Sequence, residues 1–262
     1  MTEYETIQVD RTDSIARLTL DSSSGLNSLT LQQADELIAA ITSLSGDQAV
    51  RCLVLTGTDD AFCTGADLSS LDGDERDESH LRTLASRLHD AVLQLHQLDA
   101  PVVVGINGTA AGAGVGLALS GDLVVMAADS TLRFAYPQIG LTGDGGATFL
   151  LPRLVGLRRA KEIALLDEPI GADHAVSLGL VSDAVDPDAF EDRLDELSRT
   201  VADGPTAALA ATKRLLTESF DRDLAGQLGA ETDAIARATR TEDYQRGLAA
   251  FDSDEDPEFV GR

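Results

Sequence analysis

Two stretches decide the fold of this chain: VRCLVLTGTDDAFCTGADL at residues 50–68 and INGTAAGAGVGLALSGDLVVMA at residues 106–127. An apolar, β-branched run of the kind found in buried strands opens the first stretch and leads into the second, and each run continues into a turn of small residues. The apolar runs are CLVLTG at 52–57 and PVVVGIN at 101–107. Because helical patterns follow these turns, the sequence predicts a repeated unit of strand, turn and helix, and therefore an α/β fold.

The same unit recurs on both sides of these stretches. IARLTL at 15–20 is typical of a strand, and Thr30 with Gln33 forms a capping-box pattern before an amphipathic helix. The apolar positions of that helix are Ala34, Leu37, Ile38, Ile41 and Leu44. Leucines spaced over residues 81–98 predict a longer helix that ends before Pro101.

A third unit and a helical end complete the pattern. LVVMAA at 123–128 and LRFAYP at 132–137 predict short strands, and the loop GLTGDGGAT at 140–148 leads into a helix that carries Pro152 and Leu154. From about Ala189 onward the pattern is purely helical. We therefore expect a core over residues 1–200 and a helical region over residues 201–262.

The charge balance is strongly acidic. The 262 residues include 45 Asp and Glu against 20 Lys and Arg, and only Lys161 and Lys213 are lysines. Such a surface repels nucleic acids and anionic membranes, so neither is an expected partner. Acidic residues spread along the whole chain are typical of a halophile's protein, whose charged surface is solvated and whose self-repulsion is screened by salt.

The sequence also predicts a protein of a reducing compartment. Cys52 and Cys63 show no spacing typical of a disulfide framework or a metal site. No apolar run reaches the roughly 18 residues of a membrane helix, and the segment MTEYETIQVD lacks the basic and apolar regions of a signal peptide. We expect a cytoplasmic protein without a bound metal.

Two glycine-rich turns, at Gly65-Ala66 and at Gly112-Ala113-Gly114, are candidates for chemistry. Each can present a free backbone N–H at a helix start, where it would stabilise an oxyanion that develops during a reaction. The alternative is close helix packing through small residues. A dinucleotide-binding loop is excluded because its third glycine would fall on Leu117.

In these two stretches, in LPRLVG at 151–156 and in DYQRGLAAF at 243–251, the chain resembles the enoyl-CoA hydratase/isomerase (crotonase) superfamily. The resemblance covers nearly the whole chain and implies a spiral of ββα units with a helical C-terminal trimerisation region. It further implies an acyl-CoA thioester substrate, no cofactor apart from the coenzyme A of that substrate, and a homotrimer or a dimer of trimers.

The resemblance also implies roles for individual residues. The oxyanion-binding amides of the family fall on Ala66 and Ala113. The expected substrate- or CoA-binding residues are Leu26, Gly65, Asp67, Leu68, Gly112 and Phe251. Hydratases of the family place two glutamates over the substrate, and one of these positions is Gly116 here, so water addition by that pair is not expected.

Asp144 in the loop TGDGG is the candidate base. This region resembles the 1,2-epoxyphenylacetyl-CoA isomerases and related double-bond isomerases, in which an aspartate moves a proton between substrate carbons. The alternative role of Asp144 is to cap the following helix. Tyr136 is expected either to hydrogen-bond Asp144 or the substrate, or to be an aromatic wall of the pocket.

His89 supports a rival reaction. Its position resembles that of the histidine in crotonase-fold aryl-CoA dehalogenases, whose aspartate nucleophile falls on Asp144. An ordinary helix residue near the core is the alternative for His89. We therefore expect a CoA-thioester double-bond or ring isomerase, with a hydratase and an aspartate-nucleophile hydrolase or dehalogenase as alternatives. A non-catalytic acyl-CoA- or RNA-binding relative is a further alternative, although the strong negative charge argues against RNA.

Overall fold

Ten strands form two sheets in the computed structural model of the protein, which describes residues 4–23 and 25–262. The strands are β1 (Ile7–Thr12), β2 (Ile15–Leu20), β3 (Cys52–Gly57), β4 (Ala61–Cys63), β5 (Val102–Ile106), β6 (Thr109–Ala111), β7 (Leu123–Ala127), β8 (Thr131–Arg133), β9 (Ile170–Gly171) and β10 (Asp183–Val185). The larger sheet has the order β1-β2-β3-β5-β7-β10, and the smaller has the order β4-β6-β8-β9. From β2 to β10 the larger sheet is parallel.

Nine α-helices connect and follow these strands in the described ranges. They are α1 (Leu31–Ser45), α2 (Arg76–Gln97), α3 (Ala113–Ala118), α4 (Ala147–Leu166), α5 (Ala172–Leu178), α6 (Phe190–Ala202), α7 (Thr206–Glu218), α8 (Leu224–Ala238) and α9 (Glu242–Ser253). Three times in succession the chain gives one strand to the large sheet, one to the small sheet and then a helix. This order confirms the predicted ββα repeats.

The large sheet is buried on both faces because its central strands are apolar at nearly every position. Leu53 and Leu55 of β3 face the main core, which the helices α1 to α4 help to form. Cys52 and Val54 point to the opposite face, as successive side chains of a strand do, and there they pack against Phe190 of α6. A strand that is buried on both faces of its sheet requires apolar residues at successive positions.

The predicted start of α1 is confirmed, but only half of the predicted capping box forms. Thr30 Oγ1 accepts a hydrogen bond from the Gln33 N–H at 3.1 Å. The Gln33 side chain does not return this bond, because its Nε2 donates to the Thr6 carbonyl at 3.1 Å. Gln33 thereby joins the buried end of α1 to the segment before β1.

Two local expectations were wrong. The turn at Gly65 does not open an α-helix, because a single backbone bridge pairs Ala66 with Leu29 and keeps the chain extended there. Only a short 3-10 helix, Leu68–Ser70, follows. The strand expected to continue to residue 137 ends at Arg133, because a tight turn at Ala135 leads into a second 3-10 helix, Tyr136–Ile139.

A buried lysine ties the last helices to the sheet. Lys213 Nζ on α7 lies 2.8 Å from Asp122 Oδ2 and donates to the Leu95 carbonyl at 3.0 Å. The boundary near residue 200 stays a prediction. No helix of the described residues is long and apolar enough to cross a bilayer.

Candidate active site

A cavity of about 860 Å³ lies between α2, the two glycine-rich turns and the segment that carries Tyr136 and Asp144. Its lining is mainly apolar: the large apolar side chains in it are Leu29, Leu68, Leu81, Leu84, Leu88, Tyr136, Ile139 and Leu141. Its polar side chains include Glu78, Arg82, His89, Asp90, Gln138 and Asp144. A pocket of this size, with few polar groups in an apolar wall, suits a small organic substrate.

The two glycine-rich turns contact each other at one end of this cavity. Gly65 has φ +89° and Gly112 has φ +54°, both in the region that favours glycine. A Cβ atom on Gly65 would lie 3.4 Å from the Ala113 amide nitrogen and 3.0 Å from the Ala111 carbonyl oxygen. The absence of side chains at both turns therefore brings Gly65 beside the Ala113 amide.

Two backbone donors are available at this contact. The backbone groups on either side of the Ala66 amide already have hydrogen-bond partners: the Gly65 carbonyl accepts from the Leu29 N–H, and the Asp67 N–H donates to the Leu29 carbonyl. Ala113 is the first residue of α3, where an amide has no partner within the helix. Within the described ranges, nothing accepts a hydrogen bond from the Ala66 or Ala113 amide. Both residues line the cavity, so a ligand oxygen could accept from both.

The loop that carries Asp144 is fixed against α3 by its glycines. Gly145 and Gly146 have φ values of +59° and +82°. The Gly145 carbonyl oxygen lies so close to Gly116 that a Cβ there would stand 1.9 Å from it. Gly116 is therefore covered by this loop, and it does not line the cavity. The expectation that Gly116 could be a pocket residue was wrong for this packing reason.

Tyr136 holds one oxygen of Asp144. The Tyr136 hydroxyl donates to Asp144 Oδ1 at 2.5 Å, while only 7% of Tyr136 is exposed. Burial, together with the nearby Asp144 carboxylate, raises the pKa of Tyr136 far above its usual value. The hydroxyl thus keeps its proton and acts as a donor. Asp144 itself keeps 32% of its side chain exposed, so a substrate can reach it.

His89 of α2 lies on the other side of Asp144. Its Nε2 accepts a hydrogen bond from the Gly145 N–H at 3.2 Å and lies 3.9 Å from Asp144 Oδ2. Accepting that bond requires a lone pair on Nε2, so the imidazole proton sits on Nδ1 in this arrangement. The distance of 3.9 Å is too long for a direct hydrogen bond, but it leaves His89 next to the reactive carboxylate.

The structure brings most of the predicted site residues together and leaves some outside. Those that line the cavity are Gly65, Ala66, Leu68, His89, Gly112, Ala113, Tyr136 and Asp144. Leu26 and Asp67 lie beside the first turn without lining the cavity: the Leu26 carbonyl accepts from Thr64, and the Asp67 carboxylate caps Ser69 at 3.0 Å. Phe251 lies on α9 with 84% of its surface exposed.

Sequence reasoning missed three contributions to this site. Apart from His89, the residues of α2 between 78 and 90 that form one wall were not predicted, because their leucine spacing indicated only a helix. Gln138 lines the cavity two residues after Tyr136, and Asp167 holds the turn at Ala135 from outside the cavity. Only contacts in three dimensions identify these residues, since none of them belongs to a recognisable motif.

The comparison with protein families agrees with this geometry. The family model described as enoyl-CoA hydratase/isomerase matches residues 10–262. The chain belongs to this family. The predicted crotonase fold is thereby confirmed, including the ββα units and the helical C-terminal region.

Relatives in this family carry different reaction names. The chain is 36% identical to a probable enoyl-CoA hydratase of Rhodobacter capsulatus, and the match covers 99% of both chains. It is 34% identical to the 1,2-epoxyphenylacetyl-CoA isomerase of Escherichia coli over 95% of both chains. It is 31% identical to 4-chlorobenzoyl coenzyme A dehalogenase-2 of an Arthrobacter species, over 95% of this chain and 91% of that one.

A solved structure supports the same fold. The enoyl-CoA hydratase of Bacillus anthracis is 30% identical in sequence, with a TM-score of 0.93 over 98% of this chain and 100% of that one. The chain is therefore an acyl-CoA enzyme of the enoyl-CoA hydratase/isomerase family. Which reaction it catalyses depends on the residues around Asp144.

Proposed function

We propose that this enzyme isomerises an acyl-CoA thioester by moving a double bond, or a ring bond, through an enolate, with Asp144 as its single base. The observation that carries this proposal is the pairing of Asp144 with Tyr136 at 2.5 Å, in the cavity that the Ala66 and Ala113 amides also line. Gly145, the next residue, packs against Ala113, since a Cβ on Gly145 would lie 3.4 Å from the Ala113 Cα. Asp144 and the amides of Ala66 and Ala113 therefore lie in one small part of the cavity.

The proposed steps need no water and no redox partner. The thioester oxygen accepts hydrogen bonds from the Ala66 and Ala113 amides. Asp144 takes the α proton of a 3-enoyl thioester, and the electron pair spreads into a dienolate whose negative oxygen the two amides stabilise. Asp144 then returns the proton to the γ carbon, which leaves the conjugated 2-enoyl thioester. Tyr136 holds Oδ1, so Oδ2 is the oxygen available for the proton.

The packing of Gly116 argues against a two-carboxylate hydratase. Water addition by the usual pair needs a second carboxylate over the substrate, and at residue 116 the Gly145 carbonyl fills the space that any side chain would enter. Among the residues that the structure describes, the other two carboxylates that line the cavity are Glu78 and Asp90, both on α2. Glu78 pairs with Arg82 at 2.7 Å.

The deciding experiment compares 3-enoyl-CoA and 2-enoyl-CoA as substrates for the wild type and for Asp144→Asn at high KCl, by following the absorbance of the conjugated thioester. We expect conversion of the 3-enoyl substrate by the wild type, a loss of about 100-fold or more in the variant, and no hydration. Asp129→Asn, which changes an exposed carboxylate away from the cavity, is the matched control. Hydration that persists in Asp144→Asn would refute the proposal and restore a hydratase.

One observation favours a second candidate, an aryl-CoA dehalogenase. His89 Nε2 lies 3.9 Å from Asp144 Oδ2, and once it releases the hydrogen bond from the Gly145 N–H, its lone pair could take a proton from water that approaches this carboxylate. Asp144 would displace chloride from 4-chlorobenzoyl-CoA and form an aryl ester. Water would then attack the ester carbonyl while His89 accepts its proton, which releases the hydroxyaryl product and the carboxylate. A single turnover in ¹⁸O-labelled water, followed by mass spectrometry of the Asp144 peptide, tests this candidate, since only it labels the enzyme.

We also propose a homotrimer, or a dimer of trimers, in a reducing, salt-rich cytoplasm. Large apolar side chains are exposed on the C-terminal helices and the 3-10 helix between them: Leu216, Phe220, Leu224, Leu228, Ile235, Leu248 and Phe251. Exposed apolar area of this extent is typical of an interface. Both cysteines are free thiols, which supports a reducing compartment. Light scattering at high KCl measures the oligomeric mass directly.

A further inference from the structure

We propose that Asp167 is a positioning residue of this site: its buried carboxylate holds the turn at Ala135 and thereby directs Tyr136 toward Asp144. The inference rests on the proposed function, because it takes Asp144 as the group that reacts. Asp167 itself is not among the residues that line the cavity.

Both oxygens of the Asp167 carboxylate are engaged by the segment that carries Tyr136. Oδ1 accepts from the Ala135 N–H at 2.6 Å, and Oδ2 accepts from Gln138 Nε2 at 2.9 Å. The Arg133 guanidinium lies 3.4 Å from Oδ2, and the Asp167 side chain is only 7% exposed. A buried charge is retained when it is paired and hydrogen-bonded, and here every partner lies within three residues of Tyr136.

The turn that Asp167 holds is strained. Ala135 has φ +65° and ψ −17°, a left-handed conformation that residues with a Cβ rarely adopt. The next amide, that of Tyr136, donates to the Phe134 carbonyl at 2.9 Å, which closes a three-residue turn around Ala135. Such a conformation persists only where its surroundings fix it, and the bond from Asp167 to the Ala135 N–H fixes it here.

Asp167 occupies a left-handed backbone position, which glycine favours and which aspartate adopts more readily than most other residues. It ends α4 with φ +55°, in the left-handed region where glycine is the favoured residue. Asp254 ends α9 in the same conformation, with φ +57°, but it is exposed and far along the chain from the site. Comparing the two aspartates separates the effect on the backbone from the effect on the site. Replacing either one by glycine relaxes the same left-handed conformation, but only the replacement of Asp167 removes the hydrogen bond to the Ala135 N–H.

The first test needs no substrate. The chain has three tyrosines, so ¹³Cζ-tyrosine labelling gives three NMR resonances, and Tyr136→Phe assigns that of Tyr136. We expect Asp167→Gly and Asp167→Ala to shift the Tyr136 resonance, because the hydroxyl no longer meets Asp144 in one fixed geometry. Either variant decides the outcome if the other does not fold.

Two controls accompany this test. Asp167→Asn keeps an oxygen that accepts from the Ala135 N–H, and we expect it to retain a resonance near that of the wild type. Asp254→Gly is expected to leave the resonance unchanged. A Tyr136 resonance at the wild-type position in folded Asp167→Gly or Asp167→Ala would overturn the inference.

The second test is a double-mutant cycle on isomerisation. We expect Asp167→Gly to lower kcat about tenfold while KM stays within about twofold, and to cause no further loss in a Tyr136→Phe background. Equal losses in both backgrounds would show that Asp167 does not act through Tyr136 and would overturn the inference. If the wild type fails to isomerise 3-enoyl-CoA, the proposed function fails, and the NMR test still decides the role of Asp167.

Discussion

The Gly145 carbonyl oxygen stands 1.9 Å from the point that a Cβ atom on Gly116 would occupy. A Cβ at that distance from a backbone atom cannot be accommodated by rotating a side chain, so the whole Asp144 loop would have to move. The lack of a side chain at residue 116 is therefore what allows this loop to pack against α3, with Gly145 next to Ala113 and Asp144 lining the cavity.

We expect Gly116→Ala to displace this loop. Overpacking a buried contact costs about 1–3 kcal/mol, and we expect a loss in that range in the free energy of unfolding and a fall in kcat of at least about tenfold. Urea unfolding and steady-state kinetics measure the two effects. Gly229→Ala is the control: a Cβ at Gly229 in α8 meets nothing within 4 Å, so helix propensity favours alanine there by up to about 1 kcal/mol. A Gly116→Ala enzyme with wild-type kcat and stability would contradict this account of the loop.

Tyr136→Phe removes the donor to Asp144 Oδ1 while keeping the aromatic ring. We expect kcat to fall about tenfold to a hundredfold, because the carboxylate loses the group that orients it, and KM to change by less than about threefold. Initial rates over a range of 3-enoyl-CoA concentrations separate the two constants. Tyr244→Phe, which alters a half-exposed tyrosine on α9, serves as the control. A large rise in KM with unchanged kcat would instead assign Tyr136 to substrate binding.

The stability of the fold should decrease above about pH 10. Burial raises the pKa of Tyr136, so the unfolded chain releases this proton near pH 10 while the folded protein retains it. Above that pH the unfolded state binds fewer protons, and the free energy of unfolding falls by up to about 1.4 kcal/mol per pH unit from this group. Urea midpoints at pH 9, 10 and 11 measure the slope. Tyr136→Phe should show a shallower slope; equal slopes would mean that Tyr136 does not contribute.

Both cysteines should be unreactive in the folded protein. Burial raises the pKa of Cys52 and of Cys63 to about 12, and the thiolate is the reactive form. We expect no labelling by iodoacetamide at pH 8 under native conditions and two labels per chain in urea, as counted by mass spectrometry. Rapid labelling of Cys63 without urea would reveal that the segment around β4 opens, because Cys63 is buried at the end of β4, two residues before Gly65.

Stability should increase with salt. With 45 acidic and 20 basic residues, the folded chain repels itself, and counter-ions screen that repulsion. We expect Tm to rise by on the order of 10 °C between about 0.1 and 2 M KCl, which corresponds to a few kcal/mol for a domain of this size. Calorimetry measures Tm. Neutralising Asp252, Asp254 and Asp256 should reduce this dependence, and a Tm independent of KCl would refute the halophilic interpretation.

The sequence predicted the elements whose signal is local. β3 begins and ends at the residues that CLVLTG marks, and Thr30 starts α1 as its capping pattern indicates. Buried strands and capped helices depend on nearby residues, so a pattern of apolar and polar positions suffices to find them. The glycine positions of the two turns were informative for the same reason, since only glycine adopts their conformations readily.

The relations that the sequence could not predict join distant segments. The helix expected after Gly65 fails because Ala66 pairs with Leu29, which lies 37 positions earlier by residue number. The hydrogen bond from the Ala135 N–H to Asp167 likewise joins residues that are 32 positions apart in the sequence. Gly116 was expected near the substrate, and its burial depends on a loop whose path no local pattern specifies. Tertiary contacts outweigh local preference at each of these places.

One side of the cavity is a single helix, α2, whereas Asp144 and the two amide donors of the proposed isomerase are on other segments. Leu81 and Ala85 of this helix line the cavity, whereas the helix meets the Asp144 loop further along, where His89 accepts a hydrogen bond from the Gly145 N–H. Size selection and proton transfer are therefore separable parts. A library that varies only residues 81 and 85 would change which acyl groups fit the cavity and would leave Asp144 and the two amide donors unchanged. These two positions of α2 are therefore the first to vary when this enzyme is engineered toward new thioesters.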